Sequence, residues 1–160
     1  MKDRDIKRSS EHPEADVKHI VRGIARQGLK AASVAAPIGR VWRAYTAPEH
    51  IKQWNAASAD WHTTAATVDL RVGGAFSSRM EAKDGSMGFD FAGTYTKIVP
   101  HERIEYSFGE RAAQVEFADG SKGVKVRVTF DSEPTHSVEQ QRQGWQAILD
   151  NFARHVEALR

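Results

Sequence analysis

The chain has 160 residues, 23 of them basic and 21 acidic, for a net charge of +2, and it contains no cysteine. That length fits one domain, able to bury roughly 70% of its unfolded surface without staples, and the missing cysteines exclude disulfides, a thiol nucleophile and Cys-ligated metal sites. Interspersed charges with so small an excess make a solvated surface rather than a nucleic-acid footprint. No run nears the ~18 apolar residues of a membrane span, and the start lacks an apolar signal core, so the expected address is the cytoplasm.

Residues 1–28 stand apart as a charged, helical extension ahead of a domain over 29–160. Up to Ser10 the composition is that of a fraying terminus. Pro13 then opens a helical pattern in which Val17, Ile20, Val21 and Ile24 share one face opposite Lys18, Arg22 and Arg26, with Gly28 as its stop. One narrow stripe is marginal alone, so this amphipathic helix must dock. It packs on its own domain, forms a homodimer contact, or lies on a membrane surface; the stripe has no aromatic anchor, which favours its own domain.

A short strand from Leu29 to Val34 leads into Ala36-Pro37, and Pro37 opens a helix carrying Val41, Trp42 and Tyr45 on one face. Pro48 opens a second short helix with Ile51 and Trp54 buried, and Asn55 to Thr64 reads as a loop. Alternation then takes over. Phe76, Ser78, Met80 and Ala82 share a face, and Phe89, Phe91, Gly93 and Tyr95 share another after the turn signal Asp84-Gly85. Ile104, Tyr106 and Phe108 follow, then Val115 and Phe117, a second turn signal at Asp119-Gly120, and Val124, Val126, Val128 and Phe130. Such strands belong to an antiparallel sheet with one dry face, and their connections are too short for parallel crossovers.

At the C-terminus, Ser137 and Gln140 form a capping box for a helix of about 22 residues, roughly 33 Å long. Its stripe of Trp145, Leu149, Phe152, Val156 and Leu159 must lie across the apolar face of the sheet. The fold class is therefore α+β, with one long helix gripped by the sheet. A curved antiparallel sheet of about six or seven strands wraps on a long C-terminal helix, and two short helices follow the first strand.

That order resembles the SRPBCC superfamily (START or birch-pollen-allergen-like), which implies the helix-grip fold, and within it the bacterial family named for its likeness to the activator of the heat-shock-protein-90 ATPase. The matching residues are Ala36-Pro37 with Val41-Trp42, Ala47-Pro48-Glu49-His50 through Trp54-Asn55, and Asp60-Trp61-His62. They continue through Asp69 to Phe76, Arg79 to Ser86, Gly88 to Tyr95, and Gln141-Arg142-Gln143-Gly144-Trp145, spanning about Leu29 to Leu159. The N-terminal helix lies outside this pattern. The eukaryotic co-chaperone uses a separate N-terminal domain for its main client contacts, and an extension under 30 residues is too short to be one, so ATPase activation is not expected.

The resemblance implies a ligand cavity between sheet and helix. Phe76, Met80, Phe89, Phe91, Tyr95, Tyr106 and Phe108 would line it from the sheet, and Trp145, Leu149 and Phe152 from the helix. Each is equally at home as plain core. Their collective aromatic density, with Met80 and Met87 as adaptable neighbours, suits a small, flat, apolar or aromatic ligand. Trp54, Trp61 and His62 belong to a polar loop that either closes one cavity end, with His62 carrying protons, or simply anchors itself.

Tyr95, Tyr106 or His62 could serve a cyclase or dehydratase as acid or base. A protein-interaction module with a chaperone contact is the third reading. Catalytic residues stay unassigned. No cofactor is expected, and no metal either, since the seven histidines form no i, i+4 pair. Glu81 and Asp90 fall on outward strand faces, and Gly73-Gly74 reads as a bulge or tight turn rather than a dinucleotide site.

Overall fold

The computed structural model describes residues 27–159. Strand β1 (Gln27–Val34) is followed by helices α1 (Ile38–Thr46) and α2 (Pro48–Trp54). Strands β2 (Trp61–Val68), β3 (Ala75–Ala82), β4 (Gly88–Val99), β5 (Arg103–Phe108), β6 (Arg111–Gly120) and β7 (Gly123–Asp131) then form a meander, and helix α3 (Val138–Glu157) ends the chain. The strands make one curled antiparallel sheet in the order β1-β7-β6-β5-β4-β3-β2. The first two strands of the chain are thus its two edges, and the short helices bridge them. This is the α+β arrangement that the alternation and the terminal stripe predict, and the helix-grip fold that the resemblance implies.

Period-two alternation sorts the two faces. On β7, Val124, Val126, Val128 and Phe130 are buried while Lys125 and Arg127 are exposed. On the convex face Arg79 bonds Glu81 at 3.0 Å and Asp90 at 3.5 Å, and Arg103 bonds Glu105 at 2.9 Å and Glu116 at 2.7 Å. Glu81 and Asp90 therefore do face outward, in wet ion pairs that contribute no more than ~1 kcal/mol each. Across the concave face runs α3, started by the expected capping box: Gln140 N donates to Ser137 Oγ (3.0 Å) and Ser137 N to Gln140 Oε1 (3.1 Å). Leu149, Phe152 and Val156 are fully buried, and the Gln146 amide donates to the Ala31 carbonyl of edge strand β1 at 3.2 Å.

Four expectations need correction. Gly28 does not stop a helix; it pairs with Phe130 in β1. The helix proposed upstream of it lies outside the described residues. Trp61 to Thr64 are not loop but the start of β2, paired to β3 as Trp61↔Ala82, His62↔Glu81 and Thr63↔Met80. A bulge between Thr63 and Ala65 breaks the alternation there, and an edge strand with one half-covered face needs few apolar residues. The β6–β7 hairpin turns at Ser121-Lys122, not at Asp119-Gly120, because the positive φ (125°) falls on Gly123, where a Cβ would sit 2.2 Å from the Val34 carbonyl. Helix α3 is 20 residues long, about 30 Å, and Leu159 lies past its end.

Among the described residues no helix is long and apolar enough to cross a membrane.

Candidate functional site

Helix α3 lies close to β1 and leaves the other half of the concave face uncovered. A cavity of about 190 Å³ remains there. Strands β3 to β5 supply Phe76, Ser78, Met80, Phe89, Phe91, Tyr95, Ile104 and Tyr106. The short helices and the residue after them supply Tyr45, Ile51, Trp54 and Asn55, and α3 supplies Trp145 and Ile148. Phe89 is 51% exposed, so the cavity opens at the β3–β4 end.

Local sequence dictates these positions. A Cβ on Gly93 would lie 2.8 Å from the Phe76 ring and 2.2 Å from the Ser107 carbonyl, so only glycine lets Phe76 lie flat across β4. The Gly73-Gly74 pair makes a tight turn that exchanges backbone bonds with Tyr95, Gly73 N to Tyr95 O at 2.8 Å and Tyr95 N to Gly74 O at 2.9 Å. A Cβ on Gly74 would meet the Asp69 carbonyl at 2.0 Å. The register shift between Tyr95 and Lys97 adds the bend that hollows the sheet. Trp54 is pinned by its Nε1–H to the Ala44 carbonyl at 2.9 Å, and Thr63 Oγ1 gives its proton to the Asn55 carbonyl at 2.6 Å while resting 3.0 Å from the Met80 sulfur.

Of the residues expected from the sequence, Trp54, Phe76, Met80, Phe89, Phe91, Tyr95, Tyr106 and Trp145 share this wall. Phe108 does not: it packs behind it on Phe91 and Tyr106, with the Arg111 guanidinium 4.5 Å from its ring. Leu149 and Phe152 are core, with Phe152 edge-on to Tyr45 and Trp54. Trp61 meets Phe89 but, with His62, borders a neighbouring polar cleft instead. The expectation missed Tyr45, Ile51, Asn55, Ser78, Ile104 and Ile148. Ile148 stands three residues after Trp145, and Ser78 alternates with Phe76 and Met80, so helical and strand periodicity held those two signals.

The chain has three tyrosines, and all three are in this wall. Burial pushes Tyr95 up to about 12. Burial, then the neighbouring Tyr45 and Tyr95, holds Tyr106 well above the usual range, and burial with Tyr95 does the same to Tyr45. None of the three hydroxyls has a protein hydrogen-bond partner among the described residues. No carboxylate or imidazole faces the cavity. The wall can therefore offer phenol hydrogen bonds to an acceptor.

The polar cleft, about 450 Å³, lies beside the cavity and shares Asn55 with it. There the fold joins histidines that are 105 positions apart: His50 Nδ1 is 2.9 Å from His155 Nε2. Burial, then His50, lowers the His155 pKa. Among the described residues no cluster of three or more His, Asp or Glu can hold a metal ion.

Known proteins share this architecture. A solution structure of an AHSA1-like protein from Aeromonas hydrophila is 47% identical, over 82% of this chain and 92% of that one, with a TM-score of 0.78. A protein from Cytophaga hutchinsonii is 39% identical over the same shares, with a TM-score of 0.72. One from Chromobacterium violaceum is 26% identical over 85% of this chain and 100% of that one, with a TM-score of 0.75. No curated protein matches. The family described as activator of Hsp90 ATPase homolog 1-like protein matches residues 35–157, and the chain belongs to that family, within the SRPBCC superfamily.

Proposed function

We propose that this chain is a cytoplasmic, non-catalytic binder of a small apolar or aromatic molecule, held between the sheet and α3. The observation that carries this reading is the ring-lined cavity, with Phe76, Phe91, Tyr95 and Tyr106 in mutual contact on one side and Trp54 and Trp145 on the other. Its 190 Å³ is somewhat more than the ~150 Å³ engineered cavity that takes a benzene, so the guest is one ring or two fused ones. The three phenols of the wall, which have no protein hydrogen-bond partner among the described residues, can donate to a guest that carries an acceptor oxygen. A cyclase or dehydratase would have to work through the protonated tyrosines as acids or hydrogen-bond donors, because no carboxylate or imidazole lines the cavity.

The test is thermal unfolding against a panel of one- and two-ring ketones, phenols and hydrocarbons. A true guest at 100 times its dissociation constant adds ~2.7 kcal/mol. Ile148→Trp, which fills the cavity from α3, should abolish that gain. A panel that stabilises nothing, or stabilises the filled variant equally, removes this reading.

A further inference from the structure

We propose that the cleft beside the cavity is a site for a compact oxyanion, a carboxylate or a phosphate. Its wall is assembled from separate parts of the chain: Lys52 near the end of α2, Lys83 in the β3–β4 turn, and Asn151, Arg154 and His155 on α3. Three permanent cations thus share one hollow of about 450 Å³, and no carboxylate belongs to the wall.

Elsewhere Arg43 pairs with Glu49, Arg71 with Asp69, Arg79 with Glu81 and Asp90, and Arg103 with Glu105 and Glu116, while Arg40 and Arg111 have no ion-pair partner among the described residues. Neither Lys52 nor Lys83 has an ion-pair partner among the described residues. Of the acids near these lysines in sequence, Glu49 pairs with Arg43 and Glu81 with Arg79, and Asp60 and Asp84 bond within their own loops. Asp60 accepts from Ser58 Oγ at 2.6 Å, and Asp84 accepts from the Ser86 backbone N–H at 2.9 Å.

The cleft is also set in advance. Asn151 Nδ2 donates to the Ala56 carbonyl at 2.6 Å, and its Oδ1 in turn accepts from the Arg154 guanidinium, which aligns that planar donor. His155, whose pKa is lowered by burial and then by His50, adds a polar ring to the same wall, 2.9 Å from His50. Three like charges around a hollow repel one another, and an anion that accepts charge-assisted bonds from them relieves the repulsion.

The oxyanion has two possible sources. It is either a free small anion or the charged end of the cavity's own guest, since Asn55 belongs to both walls. The second source rests on the binding function proposed above. Calorimetric titrations of the full chain with inorganic phosphate, phenylbutyrate and phenylbutyrate methyl ester separate them. Lys52→Gln/Lys83→Gln removes two exposed charges and should leave folding intact. It should weaken the binding of phosphate or phenylbutyrate about tenfold and leave the ester unchanged, and rising salt should weaken the anions alone.

Charge-dependent phosphate binding with neither phenyl compound bound supports the free-anion source and leaves the cavity function to the neutral panel above. Phenylbutyrate bound more tightly than its ester, with the difference lost in the double variant, supports the tethered source. Ester binding with no preference for the acid and no phosphate binding overturns the anion site and leaves the cavity function standing. An anion affinity equal in wild type and double variant overturns the site outright, and Arg154→Gln must reproduce whichever result is obtained.

Discussion

The two halves of one concave face are built from different residues and end in different states. Under α3, strands β1, β6 and β7 present Val34, Val115, Val124, Val126 and Val128, each 1% exposed or less, and the helix answers with Leu149, Phe152 and Val156. Small β-branched side chains let the helix backbone approach, and that half closes completely. On β3 and β4 the corresponding positions hold Phe76, Met80, Phe89 and Phe91, of which Phe76 and Phe91 stay only partly buried and Phe89 is half exposed. Rings standing on a curved sheet meet one another before they meet the helix, and the space between is the cavity. One half supplies stability and the other supplies room.

The sharpest way to break that division is to remove a ring from each half. Phe152→Ala empties a fully enclosed site against Trp54 and Tyr45 and should cost ~3–5 kcal/mol in denaturant unfolding. Phe91→Ala enlarges a space that is already there, so its loss should stay nearer ~1 kcal/mol, in the ordinary range for single substitutions. The order should reverse for guest affinity, with Phe91→Ala the more harmful. Equal stability losses would mean that the two halves are one continuous core.

Gly93→Ala probes the boundary of the open half. The new methyl would sit 2.2 Å from the Ser107 carbonyl and 2.8 Å from the Phe76 ring, and the carbonyl belongs to the paired β5 strand. Phe76 is the part that can move, and it can move only into the cavity. Overpacking of this kind should cost ~1–3 kcal/mol, together with a loss of guest binding. A variant that keeps both wild-type stability and wild-type affinity would show that Phe76 does not define the cavity.

Most of the fold was legible because periodicity reports which face of an element is dry. Alternation along β3 to β7 and the stripe on α3 come directly from burial, and Ser137 with Gln140 marked the true helix start. Strand β2 escaped because WHTTAATV is an edge strand interrupted by a bulge, so its apolar period is broken and its pairing with β3 decides its state. The cavity was half legible for a related reason. Alternation says that Phe108 and Phe91 share a face, but not that the sheet's curl puts one behind the wall and the other on it. Leu149 and Phe152 likewise share a stripe with Trp145, and only the tilt of α3 toward β1 separates filler from lining. The cleft was legible only in its polar loop, at Trp61 and His62, and its cations gave no signal. Lys52, Lys83 and Arg154 are scattered in sequence, and only the curl of the chain brings them together.

The smallest effect, and the one confined to the open half, is alkaline. Unfolded tyrosines release their protons near pH 10. In the folded chain Tyr95 holds its proton to about 12 and Tyr106 to well above the usual range, because an ionised phenol in this wall would lose its hydration. Between those values the folded state binds more protons than the unfolded one. The stabilising contribution is therefore complete below pH 10 and is lost as pH rises through the folded values. Because the chain has no tyrosine outside this wall, tyrosinate absorbance reads the cavity directly. It should stay flat through pH 10 in the native protein, then rise in one step with unfolding, and a bound guest should move that step to higher pH. A phenol that titrates near 10 in the folded protein would mean that water fills this half of the sheet, and the contrast between a closed half and a dry, open one would fail at its apolar premise.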